Sequence, residues 1–253
     1  VAIVSGGMDS TTLLHYLVKK QGLQPALLTY AYGQRHAREI DCARAQAEAL
    51  GLAPPTLFDL TPFKAAFASS ALVDAGKQIP QAADVEGDPQ PATYVPFRNL
   101  IFLTLAAAYA ESQGVSQVYY GAQRHDLYGY WDTTPDFLER VNDVYALNRK
   151  SAISIEAPFI NYSKADILRL GFALGVDYGM TWSCYLGGSV ACGTCPTCAE
   201  RLKAFAEVGA ADPLPYAGNL ALPFWGGQHL PLPQRGRLGG GAGCPYYHNK
   251  GEQ

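Results

Sequence analysis

Val1-Ala2-Ile3-Val4-Ser5-Gly6-Gly7-Met8-Asp9-Ser10 stands at the head of the sequence. Val1 to Val4 is a short apolar run of the kind that makes a buried strand, and Gly6-Gly7 ends it. Leu13, Leu14, Leu17 and Val18 then recur at helical spacing, so the order is strand, glycine turn, helix. Two glycines let the backbone turn tightly and come close to a ligand. The amides at the start of the helix point at that ligand, with the positive end of the helix dipole behind them. Ser5 and Ser10 add hydroxyl donors, so the loop suits an anion with several oxygens, such as a pyrophosphate. It has neither the lysine of a Walker loop nor the G-x-G-x-x-G spacing of a dinucleotide fold. A bare strand-to-helix turn uses the same residue types, but the full string S-G-G-x-D-S after an initial strand favours phosphate binding.

Outward from this loop the same alternation continues. Pro25–Tyr32 reads as a second strand, Ala37–Leu50 as a helix closed by Gly51, and Thr56–Leu60 as a third strand. Residues 61–93 lose periodicity and gather Pro, Asp, Gly and Ala, which predicts a long surface excursion. A helix follows near Asn99–Gln113, a strand at Val115–Tyr120, a helix at Pro135–Leu147 and a strand at Ala152–Ala157. The next helix starts at Ser163, where Asp166 three residues on completes a capping box. This pace of strands and helices predicts an α/β fold, a mostly parallel sheet covered by helices on both faces. In such a sheet ligands bind beyond the carboxyl ends of the strands. Residues 216–253 differ in kind, being rich in Gly and Pro with little periodicity, and form a C-terminal extension to a domain spanning 1–215.

Of six cysteines, Cys184, Cys192, Cys195 and Cys198 form C-x7-C-x2-C-x2-C. Short loops with Gly193 and Pro196 between the thiolates let the sulfurs converge on one tetrahedral ion, in a small subdomain at about 180–205. Zn²⁺ fits four thiolates, and a site with no open position is structural. An iron–sulfur cluster uses the same ligands. Disulfides fit less well, because closely spaced cysteines pair awkwardly. Cys42 and Cys244 are read as incidental. With 19 Lys+Arg against 22 Asp+Glu there is no basic excess with which to grip nucleic acid. The longest nearly apolar run, Leu100–Ala110, is far short of the roughly 20 residues of a membrane-spanning helix. Nothing before Ser5 resembles a secretion signal, so a cytoplasmic location is expected.

The loop resembles the pyrophosphate loop of the N-type ATP pyrophosphatases. Further strings narrow the resemblance: Tyr32-Gly33-Gln34-Arg35-His36, Tyr94-Val95-Pro96-Phe97-Arg98-Asn99, Ser163-Lys164-Ala165-Asp166-Ile167, Thr181-Trp182-Ser183-Cys184-Tyr185 and Ala211-Asp212-Pro213-Leu214. Together these resemble the 7-cyano-7-deazaguanine synthase (QueC) family from Val1 to about Leu214. The resemblance implies a fold of the adenine nucleotide alpha-hydrolase (PP-loop) type with a small zinc-binding subdomain. It also implies ATP-dependent conversion of 7-carboxy-7-deazaguanine and ammonia to the nitrile preQ0, with Mg²⁺ and structural zinc, in a homodimer with small-molecule partners only. By that resemblance Ser5, Gly6, Gly7, Asp9, Ser10, Tyr32, Arg98, Asn99 and Gly121 bind ATP, and Asp9, Ser10, Arg98 and Lys164 carry the chemistry. Arg35 and His36 are weaker candidates, and Tyr32 or Gln34 lines the nucleotide pocket.

Asp126, Tyr130 and Asp132 fall where the family binds its substrate; an aspartate suits the N1–H and 2-amino edge of a guanine-like ring, on which Tyr130 can stack. Three departures lie on this side of the site. Arg124 stands where the family has glutamate, Thr133-Thr134 where it has Cys-Arg, and Phe97 where it has glycine. They leave room for a second reading, in which an adenylated deazaguanine acid passes to another amine such as a protein N-terminus in a defence system. A non-catalytic zinc protein that binds nucleotide or RNA is a third, disfavoured by the intact loop and the acidic balance.

Overall fold

Alternation along the first four residues sorts them onto two faces. Val1 and Ile3 pack on one side with Leu28, Tyr30, Leu103, Ala106, Val118 and Ile155. Ala2 and Val4 pack on the other with Leu13, Leu14, Leu17, Leu27, Ala43 and Ile167. A strand buried on both faces belongs in the middle of a parallel sheet. That is where the computed structural model, which describes residues 1–35, 38–124 and 130–217, puts it. The strands are β1 (Ala2–Ile3), β2 (Leu27–Ala31), β3 (Thr56–Asp59), β4 (Gln117–Tyr119) and β5 (Ser154–Glu156). Their order is β3-β2-β1-β4-β5, and every pairing is parallel.

The helices are α1 (Met8–His15), α2 (Arg38–Ala49), α3 (Arg98–Ser112), α4 (Pro135–Ala146), α5 (Lys164–Ala173) and α6 (Pro196–Glu207). Residues of α3 and α4 cover the face that carries Val1, and residues of α1, α2 and α5 cover the opposite face. The chain leaves β1 toward β2 and returns to its other side as β4, so the sheet order reverses at β1 and a crevice opens beyond the strand ends there. The capping box at α5 is present: Asp166 N donates to Ser163 Oγ at 3.2 Å, and Ser163 N donates to Asp166 Oδ2 at 3.1 Å. Thr134 takes the equivalent place at α4, accepting from Phe137 N at 3.1 Å ahead of Pro135.

One expectation needs correcting. Residues 61–93 are not a surface excursion throughout, because Phe67, Leu72 and Val73 are buried in the main core beside Tyr32 and Val95. The segment makes two short 3₁₀ turns, Thr61–Phe67 and Ala82–Asp84, and buries Phe67, the run Ala71–Val73 and Val85 at no regular spacing, so no period betrays them. The Tyr178–Met180 turn and α6 pack on α5 through Leu168, Tyr178, Ala204 and Phe205. Arg201, 1% exposed, locks this region: its Nε and Nη2 donate to Asp212 at 2.6 and 2.9 Å, and further N–H groups reach Thr181 Oγ1 and the Tyr178 carbonyl. That pair gives the Ala211–Leu214 string a structural meaning. Of the proposed extension only Tyr216 and Ala217 lie among the described residues, with Tyr216 hydroxyl on Asp212 at 2.7 Å. Among the described residues no helix is long and apolar enough to cross a membrane.

Candidate active site

A cavity of about 290 Å³ lies in the crevice beyond β1 and β4. Its floor is the loop after β1. Gly6 has φ +84°, and a Cβ built on it would lie 2.1 Å from the Glu39 carbonyl oxygen, so only glycine fits. Trp182 N donates to the Gly6 carbonyl at 3.0 Å and fixes the turn from the other side. Ser5 N donates to Ser10 Oγ at 3.1 Å, and the two serine hydroxyls are 3.1 Å apart. Gly7 is the N-cap of α1 and makes no side-chain cap, which leaves first-turn amides directed at the cavity. Gly121, just past β4, stands over this helix end; a Cβ there would meet Ser10 N at 3.2 Å.

Across the floor stands Lys164, at the start of α5, with its Nζ 3.5 Å from Asp9 Oδ2 and 3.1 Å from Glu200 Oε2. Burial works against its charge, but the two carboxylates outweigh that and hold its pKa above the usual lysine value. Asp9 Oδ1 is buried without a hydrogen-bond partner in the cavity wall. Such an orphaned carboxylate oxygen beside a phosphate-binding loop fits a divalent cation.

The far wall is built from Tyr32, Glu39, Arg98, Tyr130 and Tyr185. Arg98 is desolvated, yet Tyr32, Tyr185 and Asp132 around it raise its pKa. Its guanidinium stands 5.9 Å from the Tyr32 ring centre. Asn99 and Thr133 line the same wall. Asp132 is 3% exposed and borders a small adjoining cavity with Arg98 and Tyr130, not the main one. Burial raises its pKa, partly offset by Arg98. Tyr130 faces Tyr94 at 6.2 Å between ring centres. Asp126 and His36 lie outside the described residues. Arg35 lines the cavity, but its guanidinium donates to the Asp74 and Lys77 carbonyls and so ties down the segment after β3.

Three wall residues carry no individual signal in the sequence. Glu39 lies just past the Tyr32–His36 string, on the first turn of α2. Glu200 hides two residues after Cys198, and Gln123 follows β4. Burial pushes the Glu39 carboxyl up to about 7, against the pull of Arg98. A carboxyl raised in the fold binds its proton more tightly than in the unfolded chain, so its contribution to stability is full below about 4.5 and is lost as pH rises through about 7. Glu39→Gln, neutral throughout, is therefore expected to narrow the loss of urea stability between pH 5 and 8 by on the order of 2 kcal/mol. Parallel curves for the two proteins would contradict this.

The three departures take definite places. Phe97 adopts φ +53°, a left-handed conformation that glycine takes freely and phenylalanine does not. Its ring meets Trp131 edge-on at 5.5 Å. Thr133 lines the cavity, its hydroxyl donating to the Tyr130 carbonyl, while Thr134 caps α4. Arg124 borders a small second cavity behind Lys164.

Cys184, Cys192, Cys195 and Cys198 bring their sulfurs within 4.8 Å of one another, and Cys192 and Cys198 are 3.9 Å apart. Sulfurs on a tetrahedral ion with bonds of about 2.3 Å stand about 3.8 Å apart, so the donor set and spacing fit a bound metal. Amides support it: Cys195 N donates to Cys192 Sγ and Cys192 N to Cys184 Sγ, both at 3.3 Å. Arg38 stacks 3.7 Å over the ring of Trp182 and donates to the Gly188 and Ser189 carbonyls, tying this loop to α2.

The family model for "Queuosine biosynthesis protein QueC" matches residues 1–209. Curated relatives cover nearly the same span. The 7-cyano-7-deazaguanine synthase of Chromohalobacter salexigens is 43% identical over 218 residues, 86% of each chain. That of Psychromonas ingrahamii is 44% identical over 216 residues, 85% of this chain and 96% of its own. That of Nostoc sp. is 43% identical over 226 residues, 86% of this chain and 96% of its own.

Proposed function

Because the chain belongs to the queuosine biosynthesis protein QueC family, we propose that it is an ATP-dependent enzyme converting 7-carboxy-7-deazaguanine and ammonia to 7-cyano-7-deazaguanine. The observation that carries this reading is the uncapped start of α1 facing Lys164 across one cavity, with Asp9 between them. A carboxylate is a poor acyl donor until its oxygen is converted into a leaving group. In the proposed first step a carboxylate oxygen attacks the α-phosphorus, the α–β bridge breaks, and pyrophosphate departs. The amides after Gly7, the Ser5 and Ser10 hydroxyls and the Lys164 ammonium meet the charge that builds on the departing oxygens. Asp9 would hold Mg²⁺, which when bound neutralises part of that charge.

Ammonia then attacks the acyl carbon, a C–N bond forms, the C–O bond to AMP breaks, and one N–H proton is released, leaving the primary amide. The amide oxygen then attacks the α-phosphorus of a second ATP, a second pyrophosphate departs, and loss of AMP with both remaining N–H protons gives the nitrile. The same cavity serves both rounds, since each is displacement at an α-phosphorus by an oxygen on the same carbon. Tyr32, Arg98 and Asn99 would bind the nucleotide, and Tyr130, with Asp126, the deazaguanine, while Asp132, outside the main cavity, would act through Arg98. Four thiolates would hold Zn²⁺ as a structural ion that fixes the loop leading to Tyr185.

The test is mass spectrometry of an incubation with 7-carboxy-7-deazaguanine, Mg·ATP and ammonium. Nitrile with two AMP per product is expected. AMP with a trapped acyl adenylate and no nitrile would transfer the protein to the reading in which another amine is the acceptor. No AMP would sink both.

A further inference from the structure

Behind Lys164 a second cavity of about 20 Å³ adjoins the main one. Gln123, Lys164 and Glu200 line both, so these side chains form the partition between them. At the outer end stand Lys203 and Glu207, which line only this cavity and whose side chains are 52% and 44% exposed, so it reaches the surface. Gln123 is 3% exposed, and its Oε1 is buried with no hydrogen-bond partner. A buried amide oxygen left unpaired is costly unless something fills the place. The space is that of one water-sized molecule, since about 10–15 Å³ suffices for one.

We infer that this cavity is the inlet through which ammonia reaches the acyl adenylate. The inference rests on the reaction proposed above, in which a small nitrogen nucleophile must arrive after nucleotide and acid have filled the main cavity. Ammonia matches the partition from both sides, because its N–H donates to Gln123 Oε1 and its lone pair accepts from the Lys164 ammonium. Ammonium matches it less well, since Arg124, Lys164 and Lys203 outnumber Glu200 and Glu207 around the cavity. The inner end opens beside Asp9 and Lys164, at the phosphate end of the site. Size sets selectivity: methylamine is too large for a passage that admits one water-sized molecule.

Steady-state kinetics on the full chain with ammonium as the varied substrate test this. Gln123→Met removes the acceptor at nearly constant volume, and Ala204→Val narrows the passage from α6, where Ala204 lines the second cavity alone of the two. Each is expected to raise KM for ammonium about tenfold while KM for ATP moves less than twofold. Gln123→Glu, which keeps an acceptor, restores much of the loss, and Gln123→Ala, which widens the partition, gains N-methylamide formation from methylamine. KM for ammonium within twofold of wild type in both Gln123→Met and Ala204→Val overturns the inlet, and so does a parallel rise in KM for ATP. A wild-type protein that forms AMP but no ammonium-dependent product removes the proposed reaction itself, which is a different result from an ammonium-dependent product insensitive to the variants.

Discussion

Lys164→Met is expected to slow AMP release in a single turnover by about 10³-fold, the scale of removing a charged donor aimed at a transition-state oxygen. Methionine keeps most of the apolar stem of lysine and removes the ammonium with its charge and donors. The loss belongs in the rate of the chemical step more than in KM for ATP, because the loop amides still bind the ground-state phosphates. The substitution also leaves Asp9 and Glu200 facing each other without the cation now 3.5 and 3.1 Å from them. A modest fall in stability, about 1–3 kcal/mol, therefore accompanies the loss. A variant that releases AMP within tenfold of wild type would remove Lys164 from the phosphate end of the mechanism.

Gly6→Ala is the other change with a large expected effect, and it acts through the backbone. Alanine at φ +84° carries a penalty of about 1–2 kcal/mol before any contact is considered. Its methyl would also stand 2.1 Å from the Glu39 carbonyl, 2.8 Å from Ala43 N and 2.9 Å from Cys42 Cβ. These atoms belong to α2, so the helix must retreat or the loop must turn over. Either outcome moves the amides that face the cavity. A stability loss of about 3 kcal/mol or more in urea is expected, with ATP binding by calorimetry reduced beyond detection. Unchanged ATP affinity would show that the loop tolerates a turned peptide and that its geometry is not what recognises phosphate.

The glycine loop, the strand–helix alternation of an α/β sheet and the four metal-type cysteines were legible because each is a local pattern. Leu13, Leu14 and Leu17 announce their helix within two turns, and C-x7-C-x2-C-x2-C needs no partner from elsewhere. The walls of the cavity are a different matter. Lys164 meets Asp9 and Glu200, from opposite parts of the chain, and no spacing within either segment encodes that meeting. Glu200 was hidden by the cysteine pattern that overlaps it. Gln123 is a single amide after a strand, and its significance is an unpaired atom, which only coordinates reveal. Asp132 is the mirror case: a readable acidic residue that the fold buries behind Arg98. Phe67, Leu72 and Val73 escaped because short apolar stretches in an aperiodic segment look the same whether exposed or buried.

Helix α6 begins at the Cys195 cap, carries Cys198 in its first turn, and presents Glu200 to Lys164 and Arg201 to Asp212 directly after. The residues that would grip an ion and the carboxylate that steadies the phosphate-end lysine thus share one rigid rod. Loss of the ion proposed for the four thiolates would therefore unseat this helix and with it the setting of Lys164. On the proposed function, output would then follow trace-metal supply as well as the supply of nucleotide.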